Sequence, residues 1–160
     1  MWISKFCVGG NCMESVKDIL NHKGNQVWAV NPDTKVFDAL KLMAEKNIGA
    51  VLVVDKSENL KGIFSERDYA RYAVGSGEGK ECPWDRLVGE LMTKEVLYVT
   101  EDKSVDYCMG LITSKRLRHI PVMHDDKIIG LISIGDIVKA VLGEKDFIID
   151  QMEHYIWDNA

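Results

Sequence analysis

The chain predicts an α/β (α+β) fold: tandem β-α-β-β-α units packed together into one body. Three observations predict it. The stretch 27–54, "VWAVNPDTKVFDALKLMAEKNIGAVLVV", aligns without a gap on 96–123, "VLYVTEDKSVDYCMGLITSKRLRHIPVM", at an offset of 69 residues. Such self-similarity marks a repeated structural unit. Further on the offset becomes 68, and "GIFSERDYARYAVG" (62–75) falls on "GLISIGDIVKAVLG" (130–143). Finally, hydrophobic period changes in the same order in both copies, from strand to helix and back.

Each copy opens with a short strand, Val27–Val30 or Val96–Val99. The turns "NPDTKV" and "TEDKSV" follow, with Asp33, Thr34 and Asp102 as N-cap candidates. Apolar residues at 36, 39, 40 and 43, and at 105, 108, 109 and 112, have the spacing of a helix with one buried face. The apolar runs at 50–54 and 120–123 read as strands covered on both faces. A second strand (60–64; 127–132) and a second helix (66–74; 134–142) complete each copy. Upstream, "VKDIL" (16–20) meets "VGELM" (88–92). A unit of about sixty residues has only a thin core, so two are expected to pack together.

The expected organisation is an N-terminal extension (1–13), a first repeat (14–75), a linker (76–86), a second repeat (87–143) and a C-terminal helix (144–160). The linker is marked by the Gly-rich "GSGEGKECPWD", running into Pro83. In the C-terminal helix, Phe147, Ile148, Met152, Tyr155 and Ile156 form an apolar stripe. It packs on its own domain or on a second copy.

Composition narrows the function. The 160 residues are 46% hydrophobic and 28% charged, with a net charge of −5. Nucleic-acid binding needs clustered Lys and Arg, which this acidic balance argues against. The longest apolar runs are too short to span a bilayer, and "MWISKFCVGG" lacks the core of a signal peptide. The expected location is cytoplasmic. Cys7, Cys12, Cys82 and Cys108 form no Cys-x-x-Cys pair and are expected to be thiols in a reducing compartment. A metal or a regulatory disulfide at Cys7 and Cys12 is the other reading, but no partner ligands cluster near them. His22, His119, His124 and His154 pair with no cysteine at a telling spacing, and no P-loop is present.

The two Ser-x-x-Asp stretches, Ser65 with Asp68 and Ser133 with Asp136, admit a plain reading as capping boxes that begin helices. Their second reading comes from position. Each follows a buried strand, so each helix N-terminus lies at a strand's C-terminal edge, where α/β sheets bind ligands. Helix N-termini offer N–H groups to phosphate, and a carboxylate there can accept both hydroxyls of a ribose.

Together "GIFSERD", "GLISIGD", "RHIPV" (118–122), "LMT" (91–93) and the β-α-β-β-α order resemble the cystathionine β-synthase (CBS) domain pair, or Bateman module, over residues 14–143. The stretches "GIFSERDYAR" and "SIGDIVKAV" look like those of stand-alone bacterial signal-transduction proteins of that type. The resemblance implies a pseudo-twofold module with two clefts that bind adenosine compounds: AMP, ADP, ATP, NAD(H) or S-adenosylmethionine. It implies no catalytic cofactor and no metal; AMP or NAD(H) is the foremost ligand.

Carried over residue by residue, Asp68 and Asp136 match the ribose-binding aspartate, and Ser65 and Ser133 the hydroxyl that contacts ribose or phosphate. Thr93 matches a threonine near the ligand, and Val27 and Val96 the strand starts whose backbone reads the adenine edge. Ala50 and Val51, with Ile120 and Pro121, match the apolar walls, and Arg118 and His119 stand where basic residues meet phosphate. His119 would make phosphate binding pH-sensitive, since imidazole titrates near about 6.5. Arg67 has no counterpart basic residue at Gly135, and Gly49 and Ala50 stand where the second repeat has Arg118 and His119. The first repeat also has "NHKGNQ" in place of "TKE", so it lacks the matching threonine. The two clefts are therefore expected to differ in ligand. Arg67 and Arg71 have the alternative of a solvated helix face, and Lys115, Arg116 and Arg118 that of a helix C-terminus.

The expected function is a non-enzymatic nucleotide-sensing module that responds to energy or redox state and acts on an unknown regulated protein. The alternatives are an interaction or scaffold protein with redox-active or incidental cysteines and no physiological ligand, and a nucleotide-converting enzyme. A homodimer is expected through the helices at 66–74 and 134–142, with Tyr69, Tyr72, Ile137 and Val141 on the joining face.

Overall fold

The structure, a computed structural model, describes residues 15–75 and 83–143. The extension bearing Cys7 and Cys12, the linker stretch with Cys82, and the expected C-terminal helix with Phe147, Ile148, Met152, Tyr155 and Ile156 lie outside the described residues. In chain order the elements are α1 (Val16–Lys23), β1 (Ala29–Val30), α2 (Val36–Lys46), β2 (Ala50–Val54), β3 (Leu60–Ser65), α3 (Glu66–Gly75), α4 (Val88–Leu91), α5 (Val105–Lys115), β4 (His119–His124), β5 (Lys127–Ser133) and α6 (134–143). A 3-10 turn, Pro83–Asp85, precedes α4. The β-α-β-β-α order predicted for each repeat is present, except that the first strand of the second repeat is reduced to a bridge.

Two compact units divide the chain, and each combines parts of both repeats. One, the sheet unit, holds residues 25–99 and 120–131; the other, the helical unit, holds the remainder. Thus α1, which precedes the first repeat's strands, belongs to the same unit as α5 and α6. Conversely, α4, which precedes the second repeat, belongs with the first repeat's sheet.

In the sheet unit β1 pairs in parallel with β2, and β2 pairs antiparallel with β3. Helix α2 lays Val36, Ala39 and Met43 against Val51, Val53 and Phe64, and Val88 of α4 joins that buried cluster. Every one of these residues is at most 2% exposed, and so are Ala50 and Leu52 on the other face of β2, which is thus covered on both faces as its unbroken apolar run predicts. Asp55 closes the β2–β3 turn. Its carboxylate accepts the backbone N–H groups of Ser57 (2.8 Å) and Asn59 (3.0 Å) and pairs with Lys61 at 2.9 Å. These bonds, the Lys61 one foremost, hold its pKa well below the usual carboxylate range. The β4–β5 turn has Asp125 and Asp126 at φ 45° and 61°, the sign required for a two-residue hairpin turn.

The first strands are shorter than predicted. Val27 precedes β1, which is only Ala29–Val30. In place of a strand at Val96–Val99 there is one parallel bridge, Val99 to Val122, in which Val99 donates to Pro121 O (3.0 Å) and accepts from Met123 N (2.9 Å).

The N-caps also differ from expectation. Ser104, and not Asp102, caps α5 by accepting the Tyr107 N–H at 3.1 Å, while Asp102 accepts the Thr100 hydroxyl. At α2 neither Asp33 nor Thr34 is the cap. Lys35 holds that position without a side-chain bond. The reason is tertiary: the Val36 N–H that would want a cap donates to Arg86 O at 2.9 Å, and Val88 N returns a bond to Thr34 O at 2.8 Å. At the other pair of helices the first N–H of α1, on Val16, likewise donates to Lys103 O just ahead of α5, at 2.9 Å.

In the helical unit the buried residues are Val16, Ile19 and Leu20 of α1, Val105, Cys108 and Ile112 of α5, Ile132, and Ile137 and Ala140 of α6. Ile137 is thus a core residue at 1% exposure and not part of a joining face; the apolar side chains α6 exposes are Ile134, Val138 and Leu142. Among the described residues no helix is long and apolar enough to cross a membrane.

Candidate functional site

Both Ser-x-x-Asp stretches form full capping boxes. Ser65 donates its N–H (2.9 Å) and its hydroxyl (2.5 Å) to Asp68 Oδ2, and the Asp68 N–H donates back to Ser65 Oγ at 3.4 Å. Ser133 and Asp136 repeat the pattern at 2.7, 2.8 and 3.3 Å. The plain reading of these residues is therefore correct as far as it goes. A third box, Ser15 with Asp18, caps α1 with the same bonds at 3.0, 2.7 and 3.2 Å.

What separates the first two boxes from the third is their place at the end of a strand. Ser65 is the last residue of β3 and pairs with Ala50, the first residue of β2. The first N–H of α3, on Glu66, donates to Gly49 O at 3.3 Å. In the helical unit the first N–H of α6, on Ile134, donates to Arg118 O at 2.9 Å. In both copies the residue ahead of the buried strand is thus tied to the start of the second helix. Arg118 contributes its carbonyl to this arrangement and exposes its side chain.

A further donor reaches each aspartate, and in each unit it comes from the segment ahead of the other repeat's strands. In the sheet unit Thr93 donates its hydroxyl to Asp68 Oδ1 at 3.2 Å. Thr93 is carried there by backbone pairing with Ile63, N–H to O at 2.9 and 3.0 Å in the two directions. That approach requires Gly62. A Cβ on it would stand 2.8 Å from Thr93 O and 2.6 Å from Met92 Sδ. The first glycine of "GIFSERD" therefore makes room for Thr93.

In the helical unit the donor is Lys23, at the last turn of α1, whose Nζ lies 2.7 Å from Asp136 Oδ2. Reading along the sequence finds that the first repeat lacks the threonine; it does not find that a lysine serves instead. The signal was the alignment gap itself, since "NHKGNQ" and "TKE" occupy equivalent places. Burial raises the Asp136 pKa, but the Lys23 bond and the Ser133 N–H and hydroxyl outweigh it and hold the carboxyl below its ordinary value. Asp136 Oδ1 accepts no hydrogen bond among the described residues, so the carboxylate keeps lone pairs for a ligand.

The remaining sequence-predicted residues are distributed as follows. Arg67 lies half-buried in the first turn of α3, next to Asp68, and His119 is the half-buried first residue of β4. Ile120 and Pro121 are buried in β4, in the sheet unit, as are Ala50 and Val51 of β2. Val27 is half-buried, and the Trp28 carbonyl beside it accepts the Leu52 N–H at 3.0 Å. Val96 lines a groove of about 420 Å³ with Asn59, Leu60, Lys61, Lys94 and Tyr98. That groove meets β3 at its first residues, whereas Ser65 is at its last, roughly 16 Å along an extended strand.

Comparison with known proteins bears on the family and the fold. The CBS domain profile matches residues 16–75 and 88–143. The chain is 37% identical over 151 residues to the mitochondrial CBS domain-containing protein CBSX3 of Arabidopsis thaliana, covering 89% of this chain and 71% of that one. Its fold is similar to a CBS-domain containing protein of Agrobacterium tumefaciens, at a TM-score of 0.77 and 35% identity, over 86% of this chain and 98% of that one. It is also similar to CBSX2 solved in complex with AMP, at a TM-score of 0.67 and 27% identity, over 81% and 97% of the two chains. With both repeats matched and the fold shared, the chain belongs to the CBS domain family as a tandem CBS pair.

Proposed function

We propose that this protein is a non-enzymatic regulatory module that binds an adenine nucleotide, AMP or NAD(H) foremost, and responds to cellular energy or redox state. The observation that carries the reading is the doubled arrangement at Asp68 and Asp136. Each is a carboxylate at the start of a helix, at a strand's end, oriented by its own serine and met by a donor from elsewhere in the chain. Such a group can accept ribose hydroxyls while its cap stays intact, because a carboxylate has about four lone-pair sites. The similar CBSX2 was solved with AMP, which supports a ligand of this class.

The test is a thermal-shift panel of AMP, ADP, ATP, NAD(H) and S-adenosylmethionine on the wild type, Asp68→Ala, Asp136→Ala and Asp18→Ala. A ligand at 100 times its Kd should stabilise by about 2.7 kcal/mol. Each of the three variants should cost about 1 kcal/mol of stability through the lost cap. Asp68→Ala and Asp136→Ala should also lose the ligand response of their own site, while Asp18→Ala keeps both. If all three variants respond as the wild type does, the aspartates are caps only and the reading fails.

A further inference from the structure

The two aspartates are met by donors of different charge, and the difference bears on what each site accepts. Thr93 brings a neutral hydroxyl to Asp68. Lys23 brings an ammonium to Asp136 at 2.7 Å. Both partners of this pair are sheltered, with side chains 31% and 19% exposed, so solvent screens their attraction less than at an open surface. The Lys23 bond goes to Oδ2, the oxygen that Ser133 already holds, and Oδ1 takes no hydrogen bond among the described residues.

We infer that Lys23 is the residue that gives the Asp136 site its preference for anionic nucleotides over uncharged nucleosides. The inference rests on the ribose-binding reading of Asp136. The ammonium has three donors and a flexible stem. A ligand that sets its ribose on Asp136 and carries a phosphate nearby offers that phosphate to Lys23, so the charge of Lys23 is shared between carboxylate and phosphate. An uncharged nucleoside offers no such partner and competes with Lys23 for the same carboxylate. At Asp68 the donor from the other repeat is the neutral Thr93 hydroxyl, which the same nucleoside can displace without displacing a charge. The asymmetry predicted from Arg67 and Gly135 thus has a second source, and it lies at the opposite end of the sequence.

The experiment uses the full chain with Asp68→Ala, so that binding reports the Asp136 site. AMP and adenosine are titrated by calorimetry into this protein and into the same protein carrying Lys23→Met or Lys23→Arg. AMP should bind more tightly than adenosine when Lys23 is present. Lys23→Met should lower that ratio by roughly tenfold or more. Lys23→Arg, which keeps the charge, should preserve most of it, and this separates charge from any loss of packing. An unchanged ratio in Lys23→Met, with both ligands still bound, overturns the inference and leaves the ribose reading standing. Binding of neither ligand when Asp136 and Lys23 are intact overturns both.

Discussion

At the scale of single residues, the same four-residue pattern occurs three times with one set of bonds. Ser15 with Asp18 starts a helix; Ser65 with Asp68 and Ser133 with Asp136 start helices at strand ends. The Lys23–Asp136 pair also leaves a signature in pH. Because the folded-state pKa of Asp136 is depressed, its contribution to stability is present above the unfolded value near about 3.9 and is lost as pH falls through the folded value. Urea unfolding of the wild type and Lys23→Met should therefore differ most at neutral pH. The gap should close as pH falls below about 4, and a gap that stays constant would mean the pair contributes only packing. Cys108 is fully buried in α5, and burial pushes its thiol up to about 11. It is protonated at neutral pH and a poor nucleophile, which removes it from the redox-active alternative.

At the scale of elements, the outcome turns on the short segments that precede each repeat's strands. Neither α1 nor α4 is long enough to be stable alone. Each is held by backbone bonds to the start of a longer helix, α1 to the start of α5 and α4 to the start of α2. This is also why α2 needs no side-chain cap. Gly62 belongs to the same device, since it lets the segment after α4 lie against β3. Gly62→Ala should destabilise the protein by about 1–3 kcal/mol, because backbone at Thr93 must retreat from the new methyl. It should also weaken ligand binding at Asp68 while sparing Asp136. Equal loss at both sites would show that Gly62 supports the fold alone.

At the scale of the whole molecule, α6 exposes Ile134, Val138 and Leu142, four residues apart and therefore on one stripe of the helix. A second copy of the chain is the occupant we propose for such a surface. The mass in solution should be twice that of one 18.1 kDa chain, and Val138→Lys should shift it to the monomer. A wild-type monomer would end the proposal. Ile137, expected on that face from the sequence, is instead in the core of its unit. Its helix has two apolar stripes, and spacing alone does not say which faces inward.

The sequence by itself determined the repeat, the order of elements, the helices around Val36–Lys46 and Val105–Lys115, the doubly covered strand at 50–54 and the two capped aspartates. These are legible because they depend on local periodicity and on residue types within one or two turns. It overran the first strands and misplaced the N-caps: the first N–H of α2 is completed by distant backbone at Arg86, and α5 is capped by Ser104, two residues beyond Asp102. Only the tertiary structure decided which donor meets which aspartate. Thr93 and Asp68 are 25 residues apart and Lys23 and Asp136 are 113 apart. A bond across such a separation depends on how whole elements are exchanged between the repeats, and no spacing along the chain encodes it.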